Sequence, residues 1–342
     1  MLYGLVQESV PVAVGLILVT TAVIWVGSGW LEEAAERLSA YYGLPAVVQG
    51  SVVVAVGSSF PEFASVVFAG LAGAFELGIG AIVGSAIFNI LVIPALSGIA
   101  SEDPLEANRT IVYKEAQFYM IAVSALVVTL SMAVIYVPAA EGPLVGTLTR
   151  PLAAIPLLVY ALYLFIQWQD VSDHEDDGDG NVDVRRNWLL LAGGLALILV
   201  AVEQLVAGVE TVSATMGIPG FLAGVTIIAA ATSLPDTLVS VRSARDDRGA
   251  TSLGNVLGSN TFDLLVAIPV GVLIVGAVPV DFAVAVPMLG VLTVATVLLF
   301  AILRTDLSLT SPESTLLLVA YALFVAWVAA ESAGLTDVVR GA

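Results

Sequence analysis

Two short stretches of this sequence place an acid, a proline and hydroxyls side by side: Gly57-Ser58-Ser59-Phe60-Pro61-Glu62 and Ala231-Thr232-Ser233-Leu234-Pro235-Asp236. Both lie inside long apolar runs. A carboxylate in the middle of such a run is costly to bury, so its default reading is functional. Proline has no N–H and its ring obstructs the carbonyl one turn back, so carbonyls ahead of Pro61 and Pro235 are freed to face a cavity. A second pair of stretches follows, Gly80-Ala81-Ile82-Val83-Gly84-Ser85-Ala86-Ile87-Phe88-Asn89 and Gly254-Asn255-Val256-Leu257-Gly258-Ser259-Asn260-Thr261-Phe262-Asp263. Ser85 and Asn89 are four apart and share a helix face, as do Ser259 and Asp263. The paired glycines let a neighbouring helix come close.

Every polar group in these stretches that can bind a metal offers oxygen: the carboxylates of Glu62, Asp236 and Asp263, the amide of Asn89, and the hydroxyls of Ser58, Ser59, Ser85, Thr232, Ser233 and Ser259. Hard cations want that set. Calcium takes about 6 to 8 oxygens, magnesium gives up its water reluctantly, and softer metals prefer nitrogen or sulfur. No arginine or lysine falls inside an apolar run, so an anion would find no countercharge there. Taken singly, each feature has an ordinary explanation: glycine pairs pack helices, a membrane serine bonds its own helix, and a proline kinks. Their conjunction, twice over, points to a cation site.

The elements that position these groups must be membrane helices. Of 342 residues, 59% are hydrophobic and 12% charged, and the mean hydropathy is +1.01, more apolar surface than one soluble core can hide. Ten stretches are long enough to cross ~30 Å of hydrocarbon at ~1.5 Å per helical residue. They run from Val10 to Gly27, Val47 to Ala69, Leu77 to Ile99, Ala116 to Val137, Pro151 to Gln167, Trp188 to Gly208, Ile218 to Val241, Leu253 to Val278, Ala283 to Leu303 and Thr315 to Ala330. The expected fold is therefore all-α and integral to the membrane. With no basic region ahead of its apolar run, the first stretch reads as a retained span, not a cleaved signal.

A single ungapped offset of 174 residues superposes the halves, carrying Glu62 onto Asp236, Ser39 onto Ser213, Gly43 onto Gly217, Pro45 onto Pro219, Gly50 onto Gly224, Gly84 onto Gly258 and Phe88 onto Phe262. The chain is an internal duplication. Residues 1–168 form the first five-span repeat and 187–342 the second, with the acidic linker 169–186 between them. An odd number of spans per repeat makes the second copy enter from the opposite face, giving inverted repeats with broken helices around a midplane site. With the amino terminus outside, nine of the eleven basic residues, all but Arg150 and Arg340, lie on the cytoplasmic side. That places both termini outside and the linker inside.

Cysteine is absent and His174, in the linker, is the sole histidine. Thiolate metal sites, disulfides and histidine catalysis within the spans are excluded on supply. Net charge is −18 with one lysine, and the acids crowd into loops, as in Glu32, Glu33, Glu36 and the run from Asp173 to Asp183. Acidic, lysine-poor surfaces of this kind suit a halophile's solvent. The linker does not fit a calcium-binding loop, because no frame has glycine at position six with glutamate at position twelve.

The doubled motifs resemble those of the sodium/calcium exchangers of the calcium/cation antiporter superfamily, with signatures Gly-Thr/Ser-Ser-x-Pro-Glu and Gly-Ser-Asn-x-Phe-Asn/Asp. The resemblance covers all ten spans. It implies a prokaryotic-type antiporter in which Glu62 and Asp236 are central calcium ligands. It further implies that Ser58, Ser59, Thr232, Ser233, Ser85, Ser259, Asn89 and Asp263 line the sodium and calcium positions. By the same resemblance, backbone carbonyls near Ala55 and Ala229 would contribute, and spans one and six would slide as a gate. The chain departs from the pattern at Ala86, usually Asn, at Ser58, more commonly Thr, and at Asp236, often Glu. Asp236 together with Asp263 looks like the potassium-dependent branch.

Charge balance gives exchange a physical basis: one calcium or two sodium ions neutralise the ionised pair, while an empty carrier is held back by its buried charge. The partners expected are calcium, sodium and the lipid bilayer, with protons or potassium as alternative co-ions. No resident cofactor or nucleic acid is expected, and a monomer suffices for transport. A cation channel is the reading of another class. An intramembrane enzyme lacks a nucleophile and base of any known arrangement here.

Overall fold

A computed structural model describes residues 9–43, 53, 55–101, 103–140, 142, 144–171, 182–336 and 338–339. The first half comprises α1 (Val10–Tyr41), α2 (Ala55–Ser58), α3 (Phe60–Leu71), α4 (Phe75–Leu91), α5 (Ile93–Ala100), a short strand β1 (Leu105–Glu106), α6 (Ala116–Tyr136), β2 (Val145–Leu148) and α7 (Arg150–Val171). The second half comprises α8 (Val184–Met216), α9 (Gly220–Ala223), α10 (Ala229–Thr232), α11 (Leu234–Arg245), α12 (Gly249–Phe262), α13 (Ile268–Val275), β3 (Val278–Asp281), α14 (Phe282–Asp306), β4 (Ser308–Leu309) and α15 (Ser311–Ser332). Wide π-turns at Ile111–Glu115, Gly224–Ile228 and Asp263–Ala267 join α6, α10 and α13 to what precedes them.

Among the described residues, eight helices are long and apolar enough to span a membrane, and nine when the pair Gly220–Thr232 and Leu234–Arg245, bent by 46°, is taken as one span. The expected span from Val47 to Ala69 begins outside the described residues, and α2 and α3 are its described part. The linker from 172 to 181 also lies outside them.

The helix α1 runs well beyond Gly27, which corrects the placing of Glu32, Glu33 and Glu36 in a loop. Apolar residues at helical spacing, Leu31, Ala34, Ala35 and Leu38, are buried and pin this extension, while Glu33 and Arg37 pair at 2.7 Å one turn apart on the exposed face. The helix α8 is equally long. The two pack antiparallel and closely: a Cβ on Gly194 would lie 2.7 Å from the Gly27 carbonyl. Both runs close on a left-handed glycine, Gly43 (φ 63°) and Gly217 (φ 67°), positions that the 174-residue offset superposes.

The centre of the bundle is α4 with α5, where 89% of the apolar window is enclosed by protein, against 22% for α1 and for α15. Glycines allow that enclosure. A Cβ on Gly80 would strike the Phe221 carbonyl and one on Gly84 the backbone of Val225, so α4 lies directly against the segment carrying the Gly224–Ile228 turn. Two antiparallel ribbons tie the halves together outside the helices: Leu105 with Leu309 and Glu106 with Ser308 in one, Val145 with Asp281 through Leu148 with Val278 in the other.

Candidate cation site

Serine interrupts the helix ahead of each proline. Ser59 sits between α2 and α3 at φ −83°, ψ 3°, and Ser233 between α10 and α11 at φ −82°, ψ −2°. Pro61 and Pro235 occupy the first turn of the helix that restarts, where a missing N–H costs nothing. Glu62 and Asp236 follow immediately, at the new N-termini, where exposed N–H groups favour negative charge. Each proline thus both breaks its span and aims its acid.

These breaks meet at α4 and α12. The Ser85 hydroxyl of α4 lies 2.6 Å from that of Ser233, one donating to the other, and 3.3 Å from Glu62 Oε1. Ser233 reaches the same oxygen at 3.4 Å. Ser59 donates to the Ser259 carbonyl of α12 at 3.2 Å. The two halves therefore interlock: Glu62 of the first is held by Ser233 of the second, with Thr232 also beside it. Ser58 and Ser259 face Asp236, and Ser59 faces Asp263. Glu62, Asp236, Asp263, Asn89, Ser58, Ser59, Ser85, Thr232, Ser233 and Ser259 are all buried, none more than 1% exposed.

Ala229 opens α10, its carbonyl taking the Ser233 N–H at 3.0 Å and the Thr232 hydroxyl at 3.4 Å. Ala55 opens α2 at the matching place.

Burial of charge at this depth is bearable only with compensation. Yet among the described residues Glu62 Oε2, both oxygens of Asp236, both of Asp263 and Asn89 Oδ1 meet no donor in close hydrogen-bonding geometry. Six such buried oxygens on three helices and a turn have the chemistry that a hard cation takes. Among the described residues, no three acidic or histidine side chains gather as a metal cluster. A cation between Glu62 and Asp236 would thus complete its shell with hydroxyls and carbonyls. This donor set suits calcium and sodium, and it offers nothing to a thiophilic metal.

Asn260 is a contributor that the sequence reading did not select. Its amide donates to the Ala86 carbonyl at 3.2 Å and accepts from Asn89 at 2.9 Å, with Tyr119 OH 3.4 Å away. Ala86 and Asn260 are the positions superposed by the 174-residue offset, so α4 and α12 cross at their equivalent points. The missing first-half asparagine is thereby accounted for: one amide at the crossing spans both helices. Its conspicuous place in a doubled signature was the available signal.

The fold defines a multi-pass membrane protein with a buried cluster of oxygen-bearing side chains at its centre. The chain belongs to the sodium/calcium exchanger protein family, whose model matches residues 12–169 and 186–330. Among its relatives, an uncharacterized membrane protein of Methanocaldococcus jannaschii is 28% identical, the match covering 75% of this chain and 80% of that one. A putative antiporter, CaxA, of Alkalimonas amylolytica is 29% identical over 80% of this chain and 82% of its own length. The structure of the sodium-calcium exchanger NCX_Mj soaked with 2.5 mM Na+ and 10 mM Sr2+ superposes with a TM-score of 0.64 at 25% identity, covering 93% of this chain and 99% of the other.

Proposed function

We propose that this chain exchanges sodium for calcium by alternating access, with Glu62 and Asp236 as the shared charge. The observation that carries the reading is the pair of fully buried carboxylates, one from each half, with bare oxygens and the other half's hydroxyls around them. One calcium or two sodium ions bring that pair to neutrality, and crossing the barrier is easiest when the net charge of the loaded site is small. An unloaded site keeps its charge and stays on one side. Strict coupling follows from electrostatics alone. The hydroxyls of Ser58, Ser59, Ser85, Thr232, Ser233 and Ser259, the Asn89 amide and the carbonyls of Ala55 and Ala229 complete the ion shells.

The architecture is two inverted five-span repeats, 1–168 and 187–342, joined by the linker 169–186. Support comes from the offset of 174 residues, the matching backbone at Ser59 and Ser233, and the two ribbons, each joining a loop of one half to a loop of the other. The long antiparallel pair α1 and α8 is the gate that slides over the fixed core. Arginines near span ends put the linker in the cytoplasm and both termini outside, and one chain is sufficient for transport. The family assignment gives the channel reading no support.

The test is calcium uptake into proteoliposomes loaded with sodium, with sodium plus potassium, or with a proton gradient. Uptake driven by the sodium gradient alone is the expected result. Uptake that requires a proton gradient would convert the reading to proton/calcium exchange.

A further inference from the structure

Asp236 has polar neighbours on one side that Glu62 lacks. One turn beyond Asp236 on the same face of α11 is Ser240, fully buried, its hydroxyl without a partner. One turn before Ser259 on α12, and on the face that Ser259 turns to Asp236, is Asn255, whose amide nitrogen and oxygen are both buried and unpartnered. On α1, Glu32 is half-buried with Oε1 bare. Its stem lies against Gly57, where a Cβ would be 4.0 Å from Glu32 Cγ, and it is close enough for the charges of Asp236 and Glu62 to reach it. All three residues lie toward the end of the bundle at which α11 finishes with Arg242 and Arg245.

The equivalent places beside Glu62 are apolar. The 174-residue offset carries Ser240 onto Val66, Asn255 onto Ala81 and Glu32 onto Val206, all buried. Val66 is packed hard, since a Cβ on Gly78 would come within 2.9 Å of its Cα. A duplicated fold has thus kept oil on one side of the site and placed uncompensated oxygens on the other. Three polar side chains on three helices, each with buried atoms lacking partners among the described residues, are suited to serve ions or water.

We infer that Glu32, Ser240 and Asn255 form a staging position for a hard cation, one helical turn from Asp236 on the cytoplasmic side, from which the ion passes to the central site. This rests on the exchange reading and on its sidedness. Glu32 supplies the charge, and because it rides on the gate helix α1, sliding of that helix would move it relative to Ser240 and Asn255 on the core. Exposed Glu36, one turn further out on the same face of α1, extends the negative path to solvent.

The chain has no cysteine, so Ser240→Cys and Asn255→Cys each present a single thiol. In inside-out and right-side-out vesicles, both are expected to react with small methanethiosulfonate reagents from the cytoplasmic face, a cationic reagent being favoured over a neutral one, and calcium should slow the reaction. Val66→Cys and Ala81→Cys should react from that face at least roughly tenfold more slowly. Adding Glu32→Gln should lower the cationic preference roughly tenfold, as expected when a focusing charge is removed from a low-dielectric cleft, whereas Glu32→Asp should keep it. If Glu32→Gln fails to reach the membrane, Glu32→Ser serves the same purpose. Unreactive thiols at 240 and 255, equal reactivity at 66 and 81, or a cationic preference untouched by loss of the Glu32 charge would each overturn the inference. Sodium-driven calcium uptake by the wild-type chain, measured separately, tells failure of this inference from failure of the exchange reading.

Discussion

The two halves of the site break their spans in the same way and carry different chemistry. Ser59 and Ser233 break their spans with dihedrals within a few degrees of each other, but the acids they present differ: Glu62 with neutral Asn89 in the first half, Asp236 with Asp263 in the second. Their supports differ too. Glu62 Oε1 has the hydroxyls of Ser85 and Ser233 beside it, one from each half, at 3.3 and 3.4 Å, whereas Asp236 is faced by Ser58 and Ser259 and Asp263 by Ser59. A duplicated scaffold fixes where the acids stand, and the side chains around them differ from one half to the other.

The largest effect comes from breaking the scaffold where the halves touch. Gly80→Ala puts a methyl into the Phe221 carbonyl, and backbone cannot step aside, so expression of folded protein should collapse or thermal stability fall by more than about 3 kcal/mol. The equivalent Gly254→Ala meets only the flexible Ile111 Cδ1 at 3.1 Å and should cost less than about 1.5 kcal/mol. Equal losses in melting measurements on the two variants would mean that the crossing is not closer on the α4 side.

Next comes the crossing itself. Asn260→Ala leaves the Asn89 amide unpaired in a buried place and removes a second bond to the Ala86 carbonyl, a loss of about 1–3 kcal/mol that a thermal melt would register. Asn260→Asp, which keeps an acceptor for Asn89, should lose less. Sharper still as a probe of asymmetry is Asp236→Glu, which adds one methylene and makes the two central acids alike. Exchange should continue with an apparent calcium affinity changed only a few-fold, since charge is conserved.

The smallest expected effect concerns the co-ion. On the plain sodium/calcium reading, Asp263→Asn keeps sodium-driven uptake within a few-fold of wild type, and wild-type uptake persists when potassium is replaced by choline. Loss of uptake in choline, restored by potassium and made potassium-independent by Asp263→Asn, would instead assign Asp263 a third charge that carries potassium beside calcium.

Much of this was legible in the residues because the chemistry is written twice. Glu62 and Asp236, carboxylates beside a proline inside apolar runs, could be found by residue type, and the 174-residue offset turned two weak motifs into one strong signal. The residues that escaped are those whose partners come from the other half. Asn260 bonds Asn89 and Ala86, far away in sequence, so its place in the signature marked it while its partners stayed hidden. Glu32 escaped for a different reason: three acids within five residues read as a loop, although Leu31, Ala34, Ala35 and Leu38 around them already carried the helical spacing that buries one side of α1. Span ends drifted for the same cause, since helices continue past the hydrocarbon wherever an i,i+4 pair such as Glu33 and Arg37 supports them.

The central claim is that two carboxylates, one from each half, are the charge that calcium and sodium take turns to neutralise. It is tested most directly by sodium-gradient-driven calcium uptake into proteoliposomes containing wild type, Glu62→Gln or Asp236→Asn, each first shown to be folded by size-exclusion profile and thermal melt. The account expects robust uptake by wild type and none above protein-free liposomes for either variant. Near-normal flux through either one would contradict it.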